Sequence, residues 1–130
     1  MREWVEHTSE LELRVEAPSA EAAVGEATAA LGEIRGEPTD EPVTRTLEVE
    51  AGDPAALLAA WLEELVFLAE QDELIAAAAS DLELGETRLR GRLIARRGRP
   101  SHLVKAVTFH RLALEPRETG QWRATVVLDV

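Results

Sequence analysis

Polar and apolar positions alternate strictly from Glu10 to Glu16. Leu11, Leu13 and Val15 are interleaved with Glu10, Glu12, Arg14 and Glu16, a period of two that predicts a strand with one buried face. Trp4 to His7 reads as a strand before it. The rhythm then changes: Ala23, Val24, Ala27, Leu31 and Ile34 recur at helical spacing. Pro18-Ser19 opens that helix, with Ser19 as N-cap and Glu21 in the first turn. After a polar turn over Gly36 to Pro42, Val43 to Glu50 predicts a third strand. Gly52-Asp53-Pro54 then starts a second helix, with Asp at the N-cap and Pro at the first helical position. Its stripe is Leu57, Leu58, Trp61, Leu62, Leu65 and Leu68, and it ends near Gln71.

The rest of the chain reads as strands: Leu74 to Leu84, Thr87 to Arg97, Leu103 to Leu114 and Trp122 to Leu128. Gly85-Glu86 and Glu118-Thr119-Gly120 mark hairpin turns, and Arg97-Gly98-Arg99-Pro100-Ser101 a loop. Four alanines, Ala76 to Ala79, favour helix by propensity, but their context predicts strand. Strand, helix, strand, helix and an antiparallel run give an α+β fold: two helices packed on one face of a mostly antiparallel sheet. No repeat or linker divides the chain, so residues 1–130 form one domain.

Composition narrows the function. The chain has 130 residues, a formal net charge of -11 and no cysteine. Disulfides, thiolate catalysis and cysteine-based zinc sites are therefore excluded. The first segment is too charged for a signal peptide, and the apolar stretch from Leu57 to Ala69 is too short to span a bilayer. The expected location is the cytoplasm. Residues 1–80 carry 19 acidic and 4 basic side chains, and residues 81–130 carry 6 acidic and 10 basic. A strongly acidic field repels phosphate, so direct grip on nucleic acid by the whole domain is not expected.

Phosphate-loop, dinucleotide and nucleophile-elbow motifs are absent. His7, His102 and His110 are not at zinc spacing. Arg88, Arg90, Arg92 and Arg96 share one strand face, either as a patch for an acidic partner or as a solvated face paired with Asp81, Glu83 and Glu86. Lys105 is the only lysine beside thirteen arginines; its retention hints at a need for a compact ammonium, or is chance. The last strand stops at Asp129-Val130. Its terminal carboxylate beside Asp129 makes half of a hard-cation site, which Glu10 or Glu6 could complete; the alternative is an ordinary frayed end.

Four segments in order resemble the archease family. Glu6-His7-Thr8-Ser9-Glu10 is similar to its Asp-His-Thr-Ala-Asp, and Leu57 to Leu74 to its long Leu- and Trp-containing helix. Lys105-Ala106-Val107-Thr108-Phe109-His110 resembles its Lys-Ala-x-Thr-Tyr-His, and Val126 to Val130 its terminal apolar strand. The resemblance implies a non-enzymatic activator of the RtcB-type RNA ligase, which joins RNA ends in tRNA splicing and RNA repair. The activator promotes ligase guanylation and multiple turnover and meets RNA only through the ligase. By position, the resemblance implies a divalent-metal site at Glu10, Asp129 and Val130. Glu6, His7, Lys105 and His110 are expected to support that site or contact the partner.

Both acids of the first motif are Glu where the family has Asp, longer by roughly 1.5 Å. A flexible calcium shell absorbs that better than a rigid magnesium one, so calcium is the expected ion. Lys105 and His110 have opposite strand parity and share a face only if a bulge intervenes. Two rival readings remain at this stage: a small metal-dependent hydrolase using the same acids, and an interaction module whose metal site is lost.

Overall fold

The computed structural model describes residues 1–34, 41–100 and 104–130. Residues 35–40 of the expected turn, Ser101, His102 and Leu103 lie outside the described residues. Seven strands and two helices follow one another as β1 (Arg2–His7), β2 (Glu10–Ala17), α1 (Ala20–Ile34), β3 (Pro42–Glu50) and α2 (Pro54–Gln71). Then come β4 (Leu74–Leu84), β5 (Arg88–Arg97), β6 (Ala106–Pro116) and β7 (Trp122–Asp129). The elements are those the rhythm predicts, and the four alanines lie in β4.

Every strand pair is antiparallel. The strands divide into two hydrogen-bonded sheets, ordered β1-β2-β7-β6 and β3-β5-β4. Both helices touch strands of both sheets: α1 lies mainly on β4 and β2, and α2 mainly on β6 and β4. The α+β class with two helices on antiparallel strands therefore holds, with the helices tying two sheets together.

The helix starts obey their capping residues. Ala22 N donates to Ser19 Oγ (3.0 Å), and Ala56 N donates to Asp53 Oδ1 (2.8 Å). These side chains satisfy amides that have no partner within the helix. Leu13, Val15, Val126 and Leu128 from one sheet meet Leu89 and Leu93 from the other around Trp61, Leu58 and Val24. Trp61 is fully buried, and its indole N–H donates to Thr28 Oγ1 (3.0 Å), which itself donates to Val24 O (2.9 Å). That chain gives the core's largest side chain a polar partner and pins α2 to α1.

One face of β2 points into this core through Leu13 and Val15. Its other face, with Glu10, Glu12, Arg14 and Glu16, points away from the helices. The candidate chemistry lies on this outer face.

Candidate functional site

The β1–β2 hairpin turns through Thr8 and Ser9, with Ser9 at φ 61. The turn sets His7 opposite Glu10, and β7 sets Asp129 opposite Glu10 on the other side. Directly opposed residues point to the same side of a sheet with Cβ atoms about 4.5–5.5 Å apart. His7, Glu10 and Asp129 therefore form one row at the end of the four-stranded sheet, continued by Ala106 of β6.

The main chain braces that row on both sides. Lys105 N donates to Asp129 O (2.7 Å), and Val130 N donates to Ser9 O (3.1 Å). The backbone at Asp129-Val130 is thus tied to the β1–β2 turn and to the entry of β6. The two carboxylates expected from sequence are brought together here. Glu6 is not: it opposes Leu11, and its parity puts it on the other side of the sheet from Glu10.

Lys105 joins the site through its backbone. Among the described residues its ammonium has no ion-pair partner, and the cation in ion-pair range of Glu10 is Arg111, with Nη2 3.9 Å from Oε2. Arg111 belongs to a wide bulge. Between the pairs Thr108–Val127 and Ala113–Thr125, four residues of β6 stand against Val126 alone. Arg111 sits there at φ 55. The condition under which strand parity fails is therefore met. Within the bulge, His110 places Nε2 3.0 Å from Arg111 Nη1, and Phe109 is exposed.

The next row of side chains on this face lies beside the bulge. Val5, Glu12, Val127 and Thr108 oppose one another in register. Val127 is fully buried and Glu12 is 3% exposed, although neither faces the helices. A carboxylate that loses water must be paired. Arg14 Nε donates to Glu12 Oε2 (2.5 Å), Arg111 Nε lies 2.9 Å from Oε1, and His7 Nε2 lies 3.4 Å from Oε1. The Arg14 guanidinium holds the Glu12 carboxyl below its usual range, against the upward push of burial, with Arg111 and His7 assisting. Glu12, Arg14, Arg111 and Thr125 line an open groove on this face.

Sequence reasoning placed Glu12 on the polar face of β2 and did not single out Arg111. A signal for the bulge exists. The inward apolar positions of β6 switch from odd, at Val107, to even, at Leu112 and Leu114. That switch requires an irregularity between them.

The chain's relatives share this architecture along its length. Residues 3–130 match the Archease protein family. This chain belongs to the archease family. The protein archease of Methanopyrus kandleri is 35% identical over 144 residues, covering 98% of each chain. The solution structure of Methanobacterium thermoautotrophicum protein 1598 aligns with a TM-score of 0.71 at 23% identity, covering 99% of this chain and 98% of that one. The crystal structure of an archease, possible chaperone, from Thermotoga maritima aligns at 0.67 and 21% identity, covering 100% and 98%. These two likenesses establish the archease fold.

The row at the sheet end of this archease offers the oxygens of Glu10 and Asp129, with the His7 imidazole beside them turned towards Glu12. No three His, Asp or Glu side chains are gathered as a metal cluster among the described residues. Glu10 and Asp129, opposed in register, supply two carboxylates. A hard cation accepts such a carboxylate pair when further oxygens and waters complete its shell. No helix among the described residues is long and apolar enough to cross a membrane.

Proposed function

We propose that this archease is a non-enzymatic activator of an RtcB-type RNA ligase in the cytoplasm, promoting ligase guanylation and repeated turnover in RNA splicing and repair. The observation that carries this reading is the pairing of Glu10 with Asp129 at a braced sheet end, in a chain of the archease family. Glu10, Asp129 and Val130 would hold a divalent cation, with calcium the best fit to a flexible oxygen set. When bound, the cation would supply a concentrated positive charge at the sheet end, facing the partner.

The protein's own residues prepare that end. Lys105 N and the Ser9 carbonyl fix the backbone around Asp129. The hairpin turn fixes Glu10, and Phe109 and His110 project from the neighbouring bulge as partner contacts. Activation would follow from binding the guanylation-competent ligase conformation more tightly than its alternatives, since a partner shifts an equilibrium only by its differential affinity.

The test is guanylation and RNA joining by the cognate ligase with and without this protein. Addition of the wild type should raise both. Asp129→Ala should lose calcium binding and activation together. Unchanged ligase turnover on adding the wild type removes the activator reading, and unaltered calcium affinity in Asp129→Ala removes Asp129 as a ligand. Phosphodiester cleavage by the protein alone would instead favour a hydrolase.

A further inference from the structure

Arg111 is held more firmly than its exposure suggests. Its backbone is fixed in the bulge at φ 55. Its Nε lies 2.9 Å from the buried Glu12 carboxylate, and its Nη1 lies 3.0 Å from His110 Nε2. The third nitrogen, Nη2, is 3.9 Å from Glu10 Oε2. Glu12 also receives Arg14 at 2.5 Å on its other oxygen, so it does not take up the whole charge of Arg111. The remainder falls on Glu10.

We propose that Arg111, anchored on buried Glu12, is a fixed counter-cation that competes with a divalent ion for Glu10 and so keeps the affinity of the Glu10–Asp129 site low. This rests on reading that pair as a cation site, and it assigns a role to residues outside the pair. The physical basis is repulsion. A guanidinium within a few ångström of a carboxylate also lies near any cation that carboxylate would hold. Between partly exposed groups such a charge acts through a high effective dielectric, which reduces its effect without removing it. Glu10 is long enough to lean towards Arg111 or towards Asp129, and Arg111 biases the choice. A site so biased binds its ion well when a partner draws Arg111 away.

The test is calorimetric titration of the whole chain with calcium chloride at fixed ionic strength. Arg111→Gln, which removes the charge and keeps a polar side chain, should tighten calcium binding by about tenfold, consistent with a partly screened unit charge. Arg111→Lys should stay near wild type. Arg117→Gln should also leave the affinity unchanged, because Arg117 pairs with Glu16 at the far end of β2. Thermal melts identify any variant that fails to fold, and Arg111→Lys then provides the comparison, because loss of calcium affinity in that folded variant would show positioning and not competition.

Tight binding that appears in Arg111→Gln when the wild type binds weakly or not at all supports both the site and its counter-cation. Wild-type binding that Arg111→Gln leaves unchanged or weakens overturns the role of Arg111 while the site stands. Absence of calcium binding in the wild type and in Arg111→Gln alike overturns the site and the counter-cation with it.

Discussion

In β4, Asp81 and Leu82 stand against the single residue Gly91 of β5. In β6, Phe109 to Leu112 stand against the single residue Val126 of β7. Each bulge carries a non-glycine residue in the left-handed region, Asp81 at φ 52 and Arg111 at φ 55. Such a residue costs about 1–3 kcal/mol and persists where its surroundings hold it. The surroundings differ. The β4 bulge turns Leu82 inward, onto the bare backbone of Gly91 and the rim of Trp61. Its Asp81 is left outside, 3.9 Å from Arg92 with both side chains exposed. The β6 bulge brings Arg111 onto the outer face of its sheet, where Glu12 has lost its water. One bulge is secured by an apolar side chain in a glycine's space, the other by a guanidinium on a buried carboxylate. The same backbone irregularity thus ends a core in one place and builds a charged site in the other.

The ionic bulge is the one to break first. Arg14→Ala/Arg111→Ala removes both guanidiniums from Glu12 and leaves His7 as its remaining described partner. Both arginines are about half exposed and cover Glu12 themselves, so their removal takes away two charge-assisted contacts while readmitting water. Urea unfolding at neutral pH should show a clear loss, larger than that from any exposed ion pair of this chain. The pH dependence has a definite sign. In the wild type, Arg14 lowers the Glu12 carboxyl below its ordinary 4.5. The stability this contributes is present above pH 4.5 and is lost as pH falls through the lowered value. In the double variant the two guanidiniums no longer lower the carboxyl, so protonation at low pH costs that protein less than it costs the wild type. The gap between the two proteins should be widest near pH 7 and should close only as pH falls below 4.5. A gap that stays constant would mean that Glu12 does not sense its arginines.

The apolar bulge has a matching test. A methyl group on Gly91 would lie 2.5 Å from Leu82 Cδ2 and 3.1 Å from Trp61 Cη2. Gly91→Ala must push both away, and overpacking of this kind costs roughly 1–3 kcal/mol. The loss should be independent of pH between 4 and 7, in contrast to the ionic bulge. Combining Gly91→Ala with Leu82→Ala should recover part of it. Without that recovery, Leu82 is not what fills the glycine's space.

What the sequence disclosed, and what it hid, follows the same division. The helices were legible because capping is local: Ser19 and Asp53 act on amides three residues away. The pairing of Glu10 with Asp129 was anticipated from motifs, and the register supplies the contact. The division into two sheets was not legible, because strand partners such as β2 and β7 lie more than a hundred residues apart. Glu12 was hidden for a subtler reason. Alternation shows which side of a strand a residue faces, not what covers that side. Part of the cover is Arg111 from the β6 bulge, whose trace in sequence is a change of parity between Val107 and Leu112. Lys105, which composition made conspicuous, contributes its backbone N–H to Asp129, whereas the charge beside Glu10 comes from Arg111, one arginine among thirteen.

The smallest expected effect lies on the outer face of the other sheet, and it shows why a tally of arginines misleads. Arg88 lies 3.7 Å from Glu48 and 3.6 Å from Glu50, and Arg92 lies 3.9 Å from Asp81. All five side chains are exposed, so water and salt already screen them and an ion pair there adds about 0–1 kcal/mol. Arg92→Ala should therefore shift urea stability by less than about 0.5 kcal/mol. Raising the ionic strength from 0.01 to 1 M shortens the screening length from about 30 to 3 Å, which should erase what difference there is. The same salt should leave most of the Arg14→Ala/Arg111→Ala loss in place, because little solvent enters between Glu12 and its partners. A loss at Arg92 that rivals the double variant, or one that survives high salt, would mean that water is excluded from the β5 face as well. The contrast between the two sheets would then rest on composition, not on the β6 bulge.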